Sequence, residues 1–236
     1  MSPRRAAPHA RSALVDTAAR LLAEEGPSAL STRRLAAEAG TSTMAVYTHF
    51  GGMSGLVREV VHEGFARLQH HLTGVEETAD PVADMALLGR AYRRNALANS
   101  HLYPVMFGGF SPAGFTLSDE DRLHGRYTLA NVARCAGRCV AAGRFAAGDP
   151  ELVAHHMWIA THGLVTLELG EYLDEPFTAD RVFESQLVGM MISAGDRPES
   201  AARSVAASVG RLPTEAAEAA EAAGAAGVTA PPPAGA

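Results

Sequence analysis

Residues 30–61, LSTRRLAAEAGTSTMAVYTHFGGMSGLVREVV, admit few folds. Leu35, Ala36 and Ala39 recur at helical spacing, and Gly40 then stops the helix, because glycine enters the left-handed C-terminal position without a steric penalty. A turn is expected at residues 40–42. Ser42 has the chemistry of an N-cap, its hydroxyl able to accept from a free backbone N–H of the next helix, which runs over residues 43–49. Two short helices joined this tightly form a helix-turn-helix. In that motif the second helix enters the DNA major groove while the first crosses the backbone.

The side chains expected to meet base edges are Thr43, Met44, Thr48 and His49, with Ser42 at the start of the helix. Tyr47 lies about 100° from Val46 on the helical wheel, away from the inward pair Val46 and Phe50, where a hydroxyl can reach a phosphate. His49 offers a phosphate contact or a donor at the helix C-terminus. Ser31 or Thr32 caps the preceding helix, and Arg33 and Arg34 in its first turn are candidates to grip a phosphate. Ahead of these lies an arm, residues 1–9, whose Arg4 and Arg5, with Arg11 just beyond, suit phosphates or a minor groove.

Ala-Val-Tyr-Thr-His-Phe over residues 45–50, following the Gly40 turn and preceding a new apolar helix, resembles the signature of TetR-family transcriptional repressors. Val46, Tyr47, His49, Phe50, Leu56 and Gly40 match. The resemblance implies a phosphate contact for Tyr47, a homodimer on a double-stranded DNA operator, and release by a small-molecule effector. The chain departs from the family at Met53, where a lysine usually approaches a phosphate.

Charge is divided unevenly. The net charge is −6, yet residues 1–70 hold 8 Arg against 6 acids and residues 71–236 hold 12 Arg against 20. The positive balance therefore falls where DNA would sit. All the basic residues are arginine. No apolar run approaches a membrane span and the N-terminal residues lack the apolar core of a signal peptide, so a cytoplasmic location without membrane contact is expected. Cys135 and Cys139, four apart on one helix, suit two buried core residues better than a disulfide.

The remaining sequence reads as helix throughout, with no alternation of a β-strand. An amphipathic helix over residues 10–25 completes a DNA-binding domain of residues 10–52. A connecting helix, residues 53–72, leads into a ligand-binding and dimerisation domain over residues 73–195, and residues 196–236 read as a mostly disordered tail rich in Ala, Gly and Pro, in which SAARSVAASVGRL and TEAAEAAEAA have some helical tendency. The fold class is therefore all-α, a three-helix DNA-binding domain plus a helical bundle. Trp158 followed by His162-Gly163 resembles the C-terminal regulatory domain of a TetR subgroup named for Trp, His and Gly.

Small-molecule cavities are mostly apolar and aromatic. The candidate lining set is Met85, Leu88, Tyr92, Tyr103, Met106 and Phe107, with Phe110, Tyr127, Met157, Trp158 and His162. The last two helices, residues 150–172 and 178–193, carry more apolar surface than one chain hides, and a four-helix bundle across a two-fold axis would bury it. His155 and His162 share a face, but no Cys or carboxylate completes a metal-ligand spacing, so neither metal nor cofactor is expected. No nucleophile elbow or dinucleotide loop appears, which argues against an enzyme. The alternative is an all-helical ligand-binding protein with a vestigial DNA-binding part, which salt-dependent DNA binding would discriminate.

Overall fold

The computed structural model describes residues 7–107 and 118–212. Phe110, Arg4 and Arg5 lie outside the described residues. Helix α1 spans Ala7–Glu25, α2 Thr32–Glu38, α3 Thr43–Phe50 and α4 Met53–Thr73. The C-terminal part holds α5 (Pro81–Ala98), α6 (Leu102–Met106), α7 (Asp119–Ala141), α8 (Pro150–Leu169), α9 (Ala179–Ser193) and α10 (Pro198–Ala207). Among the described residues there is no strand, as the sequence pattern requires.

Helix α1 begins three residues before the expected start at residue 10. Pro8 sits in its first turn, where the missing N–H has no intrahelical partner to lose. Leu14, Val15, Ala18, Leu21 and Leu22 are buried, and they pack α1 against α2, α3 and α4. Ser31 caps α2, its hydroxyl accepting from the Arg34 N–H at 3.2 Å. Gly40 adopts φ 63°, the left-handed conformation that ends α2. Ser42 departs from expectation: it is the N-cap of α3 but makes no side-chain capping bond. Its exposed position lets water take up the free N–H groups instead.

Helix α5 is the axis of the C-terminal part, in contact with α4, α7, α8, α9 and α10. The short α6 packs on α1 and α4 and so bridges the two domains.

Residues 198–207, inside the stretch read as tail, form α10, with Ala201 and Val205 buried against α5 and α9. Polar bonds add to this packing. Arg144, preceding α8, donates to Asp196 at 2.6 Å and to Ser204 of α10 at 3.0 Å. Ser204 donates in turn to the Asp80 carboxylate at 2.7 Å.

Candidate nucleic-acid interface and internal cleft

The face of α3 away from the core carries the expected set. Met44 is 67% exposed and Tyr47 54%, whereas Val46 is 0% exposed and seats the helix. Thr43, Thr48 and Ser42 are exposed, and His49 is half-buried with its ring 6.0 Å from that of Phe50. One turn of α2 away, the two expected arginines part company. Arg33 is exposed. Arg34 instead donates to Glu25 at 2.8 Å and to Glu38 at 2.7 Å, so its charge is already satisfied within the domain. Arg11 lies over the Phe50 ring at 5.7 Å and pairs with Glu59, which ties α1 to the end of α3 and the start of α4.

The joint between α3 and α4 is glycine-rich for a geometric reason. Gly51 closes α3 at φ 70°, and a Cβ at Gly55 would stand 1.9 Å from the Phe50 carbonyl oxygen. The two helices therefore meet closer than any side chain allows. Met53, at the position where the resembled family has lysine, is half-buried and packs against the core, so it anchors the joint. Sequence periodicity gives no hint of the Gly55 contact, because it is made by backbone.

In the C-terminal part the expected lining residues divide among adjacent spaces. Met85, Leu88, Tyr92, Met157 and Trp158 border a narrow space of only about 40 Å³. Met106, Phe107 and Trp158 border a larger cleft of about 360 Å³, open to solvent, between α4, α7 and α8. Tyr103, Phe107 and His162 line a crevice beside α1. Tyr127 does not join them: it is 63% exposed, beside the outer face of α4.

Phe107 sits at the centre, its ring 4.5 Å from His162, 6.2 Å from Trp158 and 5.7 Å from Phe65 of α4. Behind it the Tyr92 and Tyr103 hydroxyls are hydrogen-bonded at 2.8 Å, and Tyr103 is hydrogen-bonded to His162 Nδ1 at 2.6 Å. Burial pushes the Tyr92 hydroxyl up to about 12 and lowers the His162 imidazole. Both groups are therefore neutral at physiological pH, and this buried network carries no charge.

A polar clamp that sequence reasoning missed joins α4 to α7. Asp121, 1% exposed, accepts from Ser118 N at 2.9 Å in a capping box, from Arg58 Nε at 3.1 Å, and is hydrogen-bonded to His62 Nε2 at 2.9 Å. The Ser-x-x-Asp spacing and the pair Arg58 and His62, one turn apart on α4, were the available signals. Burial raises the Asp121 carboxyl, but the Ser118 N–H and hydroxyl, His62 and Arg58 outweigh it and bring it to about 2. A folded value below the unfolded one stabilises the protein above the unfolded value and loses that stability as pH falls through the folded value. The clamp is therefore expected to contribute up to about 2 kcal/mol that fades between about pH 4 and pH 2. Acid titration of unfolding free energy in the wild type beside Asp121→Asn checks this: the two curves should converge at the acid end.

Helices α8 and α9 present Leu152 (55% exposed), Ile159 (60%), Leu167 (46%) and Ile192 (38%) on their outer faces. Gly163 and Gly189 are exposed there too, and a methyl group added at either would meet no neighbouring atom. The apolar face is thus on α8 and α9, and the last helix, α10, is not part of it. Cys135 and Cys139 are buried free thiols; the Cys139 thiol is raised by its contact with Cys135 and by burial. Among the described residues no group of three His, Cys, Asp or Glu could hold a metal ion, and no helix is long and apolar enough to cross a membrane.

Residues 14–60 match the model of bacterial regulatory proteins, tetR family, and residues 85–190 that of the tetracyclin repressor-like C-terminal domain. No curated protein matches the chain. Among solved structures, a Rhodococcus sp. RHA1 protein with unknown function is similar with TM-score 0.67 and 28% identity over 79% of this chain and 96% of that one. A TetR-family transcriptional regulator, PfmR, from Thermus thermophilus superposes with TM-score 0.60 and 23% identity over 78% and 99% of the two chains. A bacterial regulatory protein in the tetR family from Rhodococcus RHA1 gives TM-score 0.61 and 21% identity over 82% and 98%.

Proposed function

Because the chain belongs to the TetR family of bacterial transcriptional regulators, we propose that it is a repressor whose homodimer holds a palindromic operator until a small apolar or amphipathic effector releases it. The observation that carries this reading is the exposed face of α3, Thr43, Met44, Tyr47 and Thr48, set on a helix whose opposite side is fixed by the buried Val46. Two such helices across a two-fold axis fit successive major grooves. The apolar face of α8 and α9 supports a four-helix dimer contact, since exposed patches of this kind mark interaction sites. Tyr47 and the exposed Arg33 serve the phosphates; Arg34 is better read as a positioning group for α2.

The path from cleft to DNA is short. Phe107 touches Trp158 and His162 on one side and Phe65 of α4 on the other, and the helix it ends, α6, packs on α1. An effector seated beneath Phe107 would favour a different placement of α6 and α4, and with them a different spacing of the two α3 helices. A differential affinity worth about 1–3 kcal/mol is enough for such coupling.

Fluorescence anisotropy on a duplex from upstream of the gene and on a random duplex, across salt concentrations, tests the reading. Tyr47→Ala is expected to weaken both duplexes by about tenfold or more, since charge-assisted bonds are lost in both protomers. Thr43→Ala and Thr48→Ala should instead narrow the gap between the two duplexes. Equal losses on both duplexes for all three variants would remove the threonines from base reading, and salt-insensitive binding would remove the DNA-binding reading itself.

A further inference from the structure

Resting on the reading of the cleft between α4, α7 and α8 as the effector site, we infer that its effector is an anionic amphiphile, an apolar chain or ring system ending in a carboxylate or a similarly small anion. The floor of the cleft is apolar, built from Phe65, Leu68, Met106, Phe107, Leu129 and Trp158. Its rim is cationic. Arg122 and Arg126, one helical turn apart on α7, both border the opening and so can reach one headgroup together.

Both arginines are available. Arg122 donates at 3.0 Å to Asp119, an i, i+3 partner whose side chain is 100% exposed, and ion pairs of that kind hold weakly in water. Arg126 is exposed, and among the described residues no carboxylate pairs with it.

The acid in the lining, Asp121, does not reverse the sign. Its oxygens are taken up by Ser118, Arg58 and His62, so it neither attracts a cationic headgroup strongly nor repels an anionic one at full charge. A cationic ligand would meet two guanidinium groups at the mouth. A neutral one would gain the apolar floor but no charge-assisted bond. An anionic headgroup gains both, with a cleft volume of about 360 Å³ for its body.

Trp158 is the single tryptophan of the chain and forms part of the cleft wall, so its fluorescence reports occupancy directly. The full-length protein is titrated with dodecanoate, dodecanol and dodecylammonium below their aggregation concentrations, at about 50 and about 500 mM salt. Dodecanoate is expected to bind at least about fivefold more tightly than dodecanol at low salt, the margin shrinking at high salt. Arg126→Glu, a surface change whose fold circular dichroism verifies, should bring the two affinities together.

Dodecanol or dodecylammonium binding as tightly as dodecanoate in the wild type would overturn the anionic class while leaving the cleft as a binding site. So would an unchanged preference in Arg126→Glu. A silent Trp158 with all three probes would overturn the class and the cleft reading together. Operator anisotropy on the same samples then tells whether the DNA-binding reading stands without it.

Discussion

Gly55→Ala is expected to lower operator affinity by roughly 10- to 100-fold while leaving the C-terminal helices folded. The added methyl would stand 1.9 Å from the Phe50 carbonyl oxygen and 3.0 Å from its carbon. Both are backbone atoms, so no rotamer change relieves the clash. Either α3 shifts or the first turn of α4 unwinds, at the cost of about 1–3 kcal/mol typical of overpacking. The shift falls on α3 because that helix is only eight residues long and is held by one fully buried side chain, Val46, whereas α4 is fixed along its length by Leu56, Val60, Phe65 and Leu68. A base-reading helix tolerates little displacement, since each base contact depends on hydrogen-bond or methyl-contact geometry and is lost in both half-sites.

Ser54→Ala, at an exposed neighbouring position, is the control for a general effect of the joint. Operator anisotropy and thermal unfolding of the three proteins decide the matter. Wild-type affinity in Gly55→Ala would mean that the close approach does not set the position of α3.

The Gly40 turn, the lengths of α2 and α3 and the inward pair Val46 and Phe50 were legible because they depend on spacing and on residues close in sequence. The ion pairs of Arg34 were not legible, for the complementary reason. Whether it faces a phosphate depends on Glu25, which reaches it only once α1 and α2 have packed together. Tyr127 shows the limit of residue type as a guide: its neighbour Thr128 is buried, and a residue one position along a helix points about 100° away, so the tyrosine faces outward. The packing of helix α10 was hidden by composition, although its segment has helical tendency. An Ala- and Ser-rich segment has too little apolar surface to signal a packed helix, and its partners Arg144, Asp80 and Asp196 lie up to 124 residues away in sequence. The cleft aromatics were found as a cluster, yet the arginines at their rim were not, because cationic rim residues read in sequence as ordinary solvated ones.

Asp84→Ala is expected to be the most destabilising of the substitutions considered, by about 3–5 kcal/mol, the usual cost of removing one partner from a buried ionic cluster. Asp84 is 1% exposed. It accepts from the Thr78 N–H and hydroxyl, both at 2.8 Å, from Arg138 at 3.0 Å and from Arg211 at 2.9 Å. Three segments thus meet on one carboxylate: the loop before α5, helix α7, and the residues that follow α10. Alanine in its place leaves the Thr78 N–H unpaired and two guanidinium groups facing each other across a void.

For a chain of this size that cost lowers the melting temperature by roughly 10 °C. Arg211→Ala is the milder comparison, because Arg211 is partly exposed and Arg138 still neutralises the carboxylate when it is gone. The pH dependence separates charge from packing. Burial pushes the Asp84 carboxyl up, but the Thr78 donors and both arginines outweigh it and hold it below its ordinary value. Its ionic contribution is therefore complete above about pH 4 and lost as pH falls through the folded value. The gap between wild type and Asp84→Ala should narrow in acid, whereas a gap due to a cavity alone would persist. A melting temperature within a few degrees of wild type at neutral pH would show that apolar packing of Ala201 and Val205 holds α10 without the cluster, and a gap unchanged by acidification would assign the loss to a cavity and not to charge.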